Sequence, residues 1–273
     1  MNKPTTYPNR SILGVEIDVL TMNEAANIIL DYAASNSPSA YVTKPYVEFL
    51  DSASTNVEIR NLLNNAYLTL PDSVALQWAG LYLYGGKRTL FRLFTTLIRI
   101  TTSPSSLSQI IPERFAGADF SWKLLRAAKE REIRVYLIGH PKASTLEHTA
   151  AVIKSAIPGL AIVGTFDGLR VNHEESELLT ELKTLKPQLI LIGIGFPKQE
   201  RLMARLSTVL EHGVMVGEGG TFDYQSFGGG LKRAPAWMRT TGLEWLWRLM
   251  LQPSRFKRQL AIPRFIWKVY RSE

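Results

Sequence analysis

Apolar positions along this chain switch between a period of two and a period of about 3.6, and the switches mark its elements. Residues 11–18 alternate apolar and polar side chains through Ile12, Val15 and Ile17, the pattern of a short strand. Residues 22–34 carry helical spacing. A β-favouring run at 40–43, helices over 46–53 and 58–65, and a buried strand over 67–70 follow, the last halted by Pro71-Asp72. Residues 73–84 read as a strongly apolar helix closed by Gly85-Gly86. From residue 119 the order becomes regular: helix 119–131, strand 134–138, helix 144–157, strand 160–164, helix 174–184, strand 188–194, helix 198–210 and strand 214–217. Continuous apolar strands between amphipathic helices are βα units. They predict an α/β fold: a Rossmann-like, mostly parallel sheet with helices on both faces.

Two stretches depart from this regularity. Within residues 87–112, Leu90, Phe91, Phe94, Leu97 and Ile98 fall at helical spacing with Arg92 and Arg99 between them, and the TTSPSSLSQ that follows is loop-like. Two readings fit: a surface helix packing one face on the core, or a basic helix dipping into a membrane. The second stretch is the C-terminal one. From Leu231 onward it holds ten Lys/Arg and two acids, a net charge of +8, which equals that of the whole chain. Four of the six Trp lie there too: Trp237, Trp245, Trp247 and Trp267. We therefore divide the chain into a charge-balanced α/β domain, 1–228, with an insertion at about 87–112, and a basic, Trp-rich helical appendage, 229–273. Such an appendage calls for an anionic partner: a membrane surface, a phosphorylated substrate or a nucleic acid. The last is disfavoured because no nucleic-acid-binding module accompanies the charge.

The bulk composition narrows the chemistry. No Cys is present, so disulfides, thiolate nucleophiles and thiolate metal sites are excluded. The N-terminus lacks the long apolar core of a signal peptide, and no run of about 18 apolar residues occurs. The expected location is cytoplasmic, with any membrane contact made from the side.

In an open parallel sheet the ligand lies beyond the C-terminal strand ends. There the sequence places Thr43, Pro71-Asp72, Gly139-His140, Asp167-Gly168, Gly195 to Glu200, and Gly217-Glu218-Gly219-Gly220. Glycines after strands let phosphates approach backbone N–H groups, which suits a nucleotide. A dinucleotide fingerprint fails, because Lys198 stands where its third Gly belongs, and no P-loop motif occurs. Asp72 is the leading catalytic candidate. Its rival role is that of a helix N-cap. The four His show no ligand spacing and there is no Asp-x-Asp, so no metal and no cofactor are expected. A diphosphate would then be neutralised by arginines, and the appendage offers Arg233, Arg248, Arg255 and Arg258. For Arg248 the alternative is a surface ion pair with Glu244, four residues earlier.

These residues also carry a family signature. Leu70-Pro71-Asp72-Ser73, Arg114 to Asp119, Gly195 to Glu200, Gly219 to Asp223, Arg233 to Met238, Leu243 to Leu249 and Pro253-Ser254-Arg255 occur in the order of motifs found in the bacterial WecG/TagA/CpsF glycosyltransferases, which the chain resembles over roughly residues 11–260. The resemblance implies inverting, metal-independent transfer of a sugar, of the N-acetylmannosamine type, from a UDP-sugar donor to a polyprenyl-diphosphate-linked sugar in cell-surface polysaccharide synthesis. It implies work at the inner face of the cell membrane as a peripheral, often oligomeric protein. It assigns the base to Asp72 and pocket roles to Thr43 and Gln199. Substrate or nucleotide contacts fall on Gly139, Gly195, Lys198, Glu200, Gly219 and Arg233, and diphosphate closure on Arg248, Arg255 and Arg258. Two departures stand out. Pro45 replaces the family's Asn after the first strand, so Lys44 is the expected substitute donor, and the 87–112 insertion is additional. A non-catalytic sugar-nucleotide-binding relative is the alternative reading of Pro45.

Overall fold

The computed structural model describes residues 7–253 and 256–272. Its centre is a six-stranded sheet in the order β4-β3-β8-β7-β5-β6, parallel throughout. The strands are β3 (Ala40–Thr43), β4 (Leu68–Thr69), β5 (Val135–Gly139), β6 (Ile162–Asp167), β7 (Leu189–Gly193) and β8 (Val214–Gly217). One face, with Val42, Leu137, Leu191 and Val216, packs on α1 (Met22–Ala34), α6 (Gly117–Glu130) and α7 (Leu146–Ala156). The other, with Tyr136, Ile138, Ile192 and Met215, packs on α8 (Glu175–Leu185) and α9 (Lys198–Val209). The expected two-sided α/β sheet is therefore present. Its strands are apolar throughout because both faces are covered.

Three local expectations change. The single strand expected over 11–18 is a hairpin outside the main sheet, β1 (Asn9–Ile12) paired antiparallel with β2 (Val15–Asp18). Ile12 and Val15 are out of step for one continuous strand, and a two-residue turn at Leu13-Gly14, both at positive φ, resolves this. The β6 strand starts two residues late and runs through Thr165, Phe166 and Asp167. Gly164, which ended the expected strand, is an interior residue that makes room for Tyr136. The stretch read as a loop after residue 101 contains a 3₁₀ helix, Pro104–Gln109.

A third core lies beside the sheet. It joins the hairpin to α2 (Val47–Ala53), α4 (Val74–Tyr84), α5 (Leu90–Thr102) and the C-terminal α13 (Ala261–Arg271). Phe265 and Val269 of α13 are fully buried there, with the Phe265 ring edge-on to Trp78. Asp51 of α2 accepts hydrogen bonds from Arg264 (2.9 Å) and Lys268 (2.6 Å), which lock α13 in place. The C-terminal stretch thus divides by role. α13 belongs to the body, whereas α10 (Ala236–Thr240) and α11 (Glu244–Leu251) approach the C-terminal strand ends, with α12 (Phe256–Gln259) in between. Among the described residues no helix is long and apolar enough to cross a membrane.

Candidate active site

The chain leaves β5 toward β6 and leaves β7 toward β8, so the crevice between β5 and β7 is the topological switch point. A side chain fills it. The buried Phe222 ring lies over Gly139 and Gly193, where an added Cβ would come within 2.7 Å of its Cδ2. Gly139 is thus needed to admit Phe222, which corrects its expected place beneath a nucleotide. Open space lies at Gly195 (φ +82°) and Gly219 (φ +56°), where an added Cβ meets nothing within 4 Å. Both backbones need glycine and leave their surroundings clear for a ligand.

Asp72 sits on this side of the sheet, just past β4. Its N–H donates to the Pro45 carbonyl (3.0 Å), and the Pro71 carbonyl accepts from Phe115 N–H (2.7 Å), so the turn is held from two sides. The N-cap of α4 is Ser73. Asp72 is therefore not the cap, and its carboxylate accepts no hydrogen bond from any described residue. Burial raises its pKa to about 7. Lys44 and Arg248 oppose that rise, while Glu244 and Glu218 reinforce it. A partly buried carboxylate raised in this way can take up a proton near neutral pH.

The neighbours of Asp72 form two sets. Lys44 is buried, 2.8 Å from Glu218 Oε2, with the Phe120 ring 5.7 Å from its ammonium. Ser121 Oγ also donates to Glu218. Lys44 therefore does not replace the missing Asn side chain as a substrate donor, because its charge is committed to Glu218 away from solvent. Thr43 is fully buried and its hydroxyl has no hydrogen-bond partner among the described residues. Gln199 supports the ligand turn from below: its Oε1 accepts from Gly219 N–H (2.8 Å) and its Nε2 donates to Glu200 (2.7 Å). Glu200 is fully buried, and that burial raises it to about 7. It lies beneath the site and not in the open space, which corrects its assignment as a ligand contact. Lys198 is exposed at the start of α9.

The second set comes from the basic C-terminal stretch and centres on Tyr224. The guanidinium carbons of Arg248 and Arg233 stand 5.2 and 5.6 Å from its ring centre, and its hydroxyl donates to Glu244 (3.3 Å). Arg233 is bidentate to Asp119 (2.6 and 2.7 Å). Its two terminal nitrogens are held by that carboxylate, while its Nε is buried without a hydrogen-bond partner among the described residues. Arg248 is different. Its Nε and Nη2 are buried without hydrogen-bond partners among the described residues, and Nη2 points at the Gly220 turn, 3.3 Å from where a Cβ would stand. The alternative, an ion pair with Glu244, is absent among the described residues; Glu244 lies 4.0 Å from Arg233. Arg258 is 3.8 Å from Glu48, in the first turn of α2. Arg255 lies outside the described residues. No group of three or more potential metal ligands occurs among the described residues.

The sequence assigned no role to Tyr224, Glu218 or Asp119. Each lies within or beside a motif block, but motif reading attends to glycines and arginines and not to the groups that hold them.

The model of the Glycosyl transferase WecG/TagA/CpsF family matches residues 10–102 and 100–273. Two relatives carry the name N-acetylglucosaminyldiphosphoundecaprenol N-acetyl-beta-D-mannosaminyltransferase. One, from Bacillus subtilis (strain 168), is 32% identical over 163 residues, covering 60% of this chain and 62% of its own. The other, from Bacillus spizizenii (strain ATCC 23059 / NRRL B-14472 / W23), is 32% identical over 166 residues with the same coverage. The chain thus matches about three fifths of the length of these curated relatives. The family match takes in the sheet, the Asp72 turn and the helices that bring Arg248 to the strand ends, and on it this chain belongs to the WecG/TagA/CpsF family of glycosyl transferases.

Proposed function

We propose that the chain transfers an N-acetylmannosamine-type sugar from a UDP-sugar to N-acetylglucosamine on a polyprenyl diphosphate, with inversion and without a metal. The observation that carries this reading is the pair of groups near the strand ends: Asp72, with a pKa raised to about 7 and influenced by the charge of Arg248, and Arg248 itself, with two buried nitrogens unpartnered among the described residues. In this reaction the acceptor hydroxyl attacks the anomeric carbon, the bond to the diphosphate breaks, UDP leaves with the electron pair, and Asp72 takes the hydroxyl proton. A base with a pKa near the working pH suits this step. The leaving diphosphate meets Arg248 and the turns at Gly195 and Gly219, where a fixed positive group counts most. Tyr224 and Gln199 act as positioning residues, the first for Arg248 and the second for the Gly219 turn.

The relatives' names support the donor and acceptor classes. The charge of the C-terminal stretch supports an anionic membrane surface as the place where the lipid acceptor is met. UDP release by the full chain, measured with and without a synthetic polyprenyl-diphosphate-N-acetylglucosamine and with a metal chelator present, tests the reading. Acceptor-dependent release supports it. Donor binding with no release in any acceptor series would make the chain a sugar-nucleotide-binding relative.

A further inference from the structure

Helix α5 has two apolar faces. Leu93 and Thr96 are buried against the third core, with Leu97 and Ile100 partly covered. The outer face carries Leu90, Phe91, Phe94 and Ile98, which are 53, 79, 57 and 59% exposed. A surface helix normally presents polar residues there, and clustered large apolar side chains on a surface mark an interaction site. Charge identifies the partner. Residues 87–112 hold Lys87, Arg88, Arg92 and Arg99 and no acid. Arg92 is used internally, donating to the Leu81 and Tyr82 carbonyls at the end of α4, whereas Lys87 and Arg99 are exposed. Self-association across a two-fold axis would bring these cations together, whereas an anionic surface would neutralise them. The helix has 13 residues, about 20 Å long, too short to span a bilayer and suited to lying in its interface.

We infer that α5 docks this protein on an anionic lipid bilayer, with Phe91, Phe94 and Ile98 in the headgroup–acyl boundary. This deepens the membrane part of the proposed function and rests on residues that take no part in the reaction. The placement has a consequence for the site. Gly242, between α10 and α11, packs against both Ile100 of α5 and Val74, two residues past Asp72. At its other end α5 is tied to α13, where Arg88 donates to the Ser272 carbonyl (2.9 Å). Through its core-facing side α5 is therefore linked to the helices that carry Arg248 and to the segment just past Asp72.

The chain has no Cys, so Phe94→Cys gives a single site for an environment-sensitive dye on the full-length protein. With vesicles of phosphatidylglycerol and phosphatidylethanolamine the dye emission should shift blue and be quenched by nitroxide-bearing lipid. With phosphatidylcholine alone it should do neither. Phe91→Ser with Phe94→Ser removes two exposed side chains, so folding is retained, and vesicle affinity should fall by about tenfold or more. Transfer to a short water-soluble acceptor should be unchanged. The inference is overturned if the dye stays in water while the chain binds vesicles, if the double variant binds as tightly as the parent, or if the dye becomes protected on concentrating the chain without vesicles. The dye and vesicle-binding measurements use neither donor nor lipid acceptor, so their failure leaves the proposed reaction standing, and the reverse holds too.

Discussion

Replacing Asp72 by Asn keeps the shape of the side chain and removes its charge. The structure predicts opposite effects on rate and stability. A general base contributes about 10²–10⁴-fold, so turnover should fall by that factor while donor binding changes little. Stability should rise. The native carboxyl has a pKa raised from 3.8 to about 7, mainly by burial, so its ionisation opposes folding. A group shifted upward in this way binds more protons when folded. Its stabilising contribution is full below the unfolded pKa, declines between about pH 4 and pH 7, and is constant above. The full shift corresponds to about 4 kcal/mol at about 1.36 kcal/mol per unit. Because Asp72 keeps some solvent contact, we expect about 1–3 kcal/mol of gain at about pH 8, or several degrees in Tm, shrinking toward zero at about pH 4. Denaturant titrations of both proteins across that range measure it. Glu200 serves as the control, since it is also raised to about 7 by burial. Glu200→Gln should give a stabilisation with the same pH dependence while keeping activity within about tenfold, because Gln preserves the acceptor for Gln199. Equal stability of Asp72→Asn and parent at about pH 8 would refute the claim of a desolvated carboxylate.

Other consequences can be checked separately. Arg248→Ala removes a guanidinium whose Nε and Nη2 have no partner among the described residues, so turnover should drop about 10²-fold or more while thermal stability is unchanged or raised; steady-state kinetics and a melting curve read both. Tyr224→Phe keeps the ring under Arg233 and Arg248 and should retain activity within about threefold, whereas Tyr224→Ala should lose more than about tenfold, with a raised KM for the donor. Asp51→Ala unlocks α13 and should cost about 1–3 kcal/mol in denaturant unfolding. Burial alone would raise the Asp51 pKa, but hydrogen bonds from Lys268 and Arg264 outweigh it and hold the carboxyl below its ordinary value. That stabilisation is present above the unfolded carboxylate pKa and lost as pH falls through the lowered one, so variant and parent should converge in acid.

The sheet was legible because buried parallel strands write themselves as unbroken apolar runs, as Leu189–Gly193 does. The order of those strands was not, since nothing local in Ala40–Thr43 says that Val214–Gly217 lies beside it. The hairpin was hidden because Leu13-Gly14 lacks the usual Asn or Asp of such a turn. The motif blocks marked the turn that holds Asp72 and the helix that holds Arg248. The roles of Lys44, Arg233 and Gly139 were not legible, because each is set by a partner distant in sequence: Glu218, Asp119 and Phe222. Charge counting read the C-terminal stretch as one appendage. Burial of Phe265 and Val269 divides it, because an amphipathic helix with basic residues on one face can still place the other in a core.

The central claim is that Asp72 is the base of a sugar transfer completed by Arg248. Its most direct test incubates the full chain with UDP-N-acetylmannosamine, a polyprenyl-diphosphate-N-acetylglucosamine acceptor and a metal chelator, and follows the lipid product and UDP as pH is varied. The account predicts one UDP per lipid-linked disaccharide, with kcat rising through a pKa near about 7 in the parent and that rising limb missing in Asp72→Asn. Parent-like turnover by Asp72→Asn, or a rising limb that survives the substitution, would contradict it.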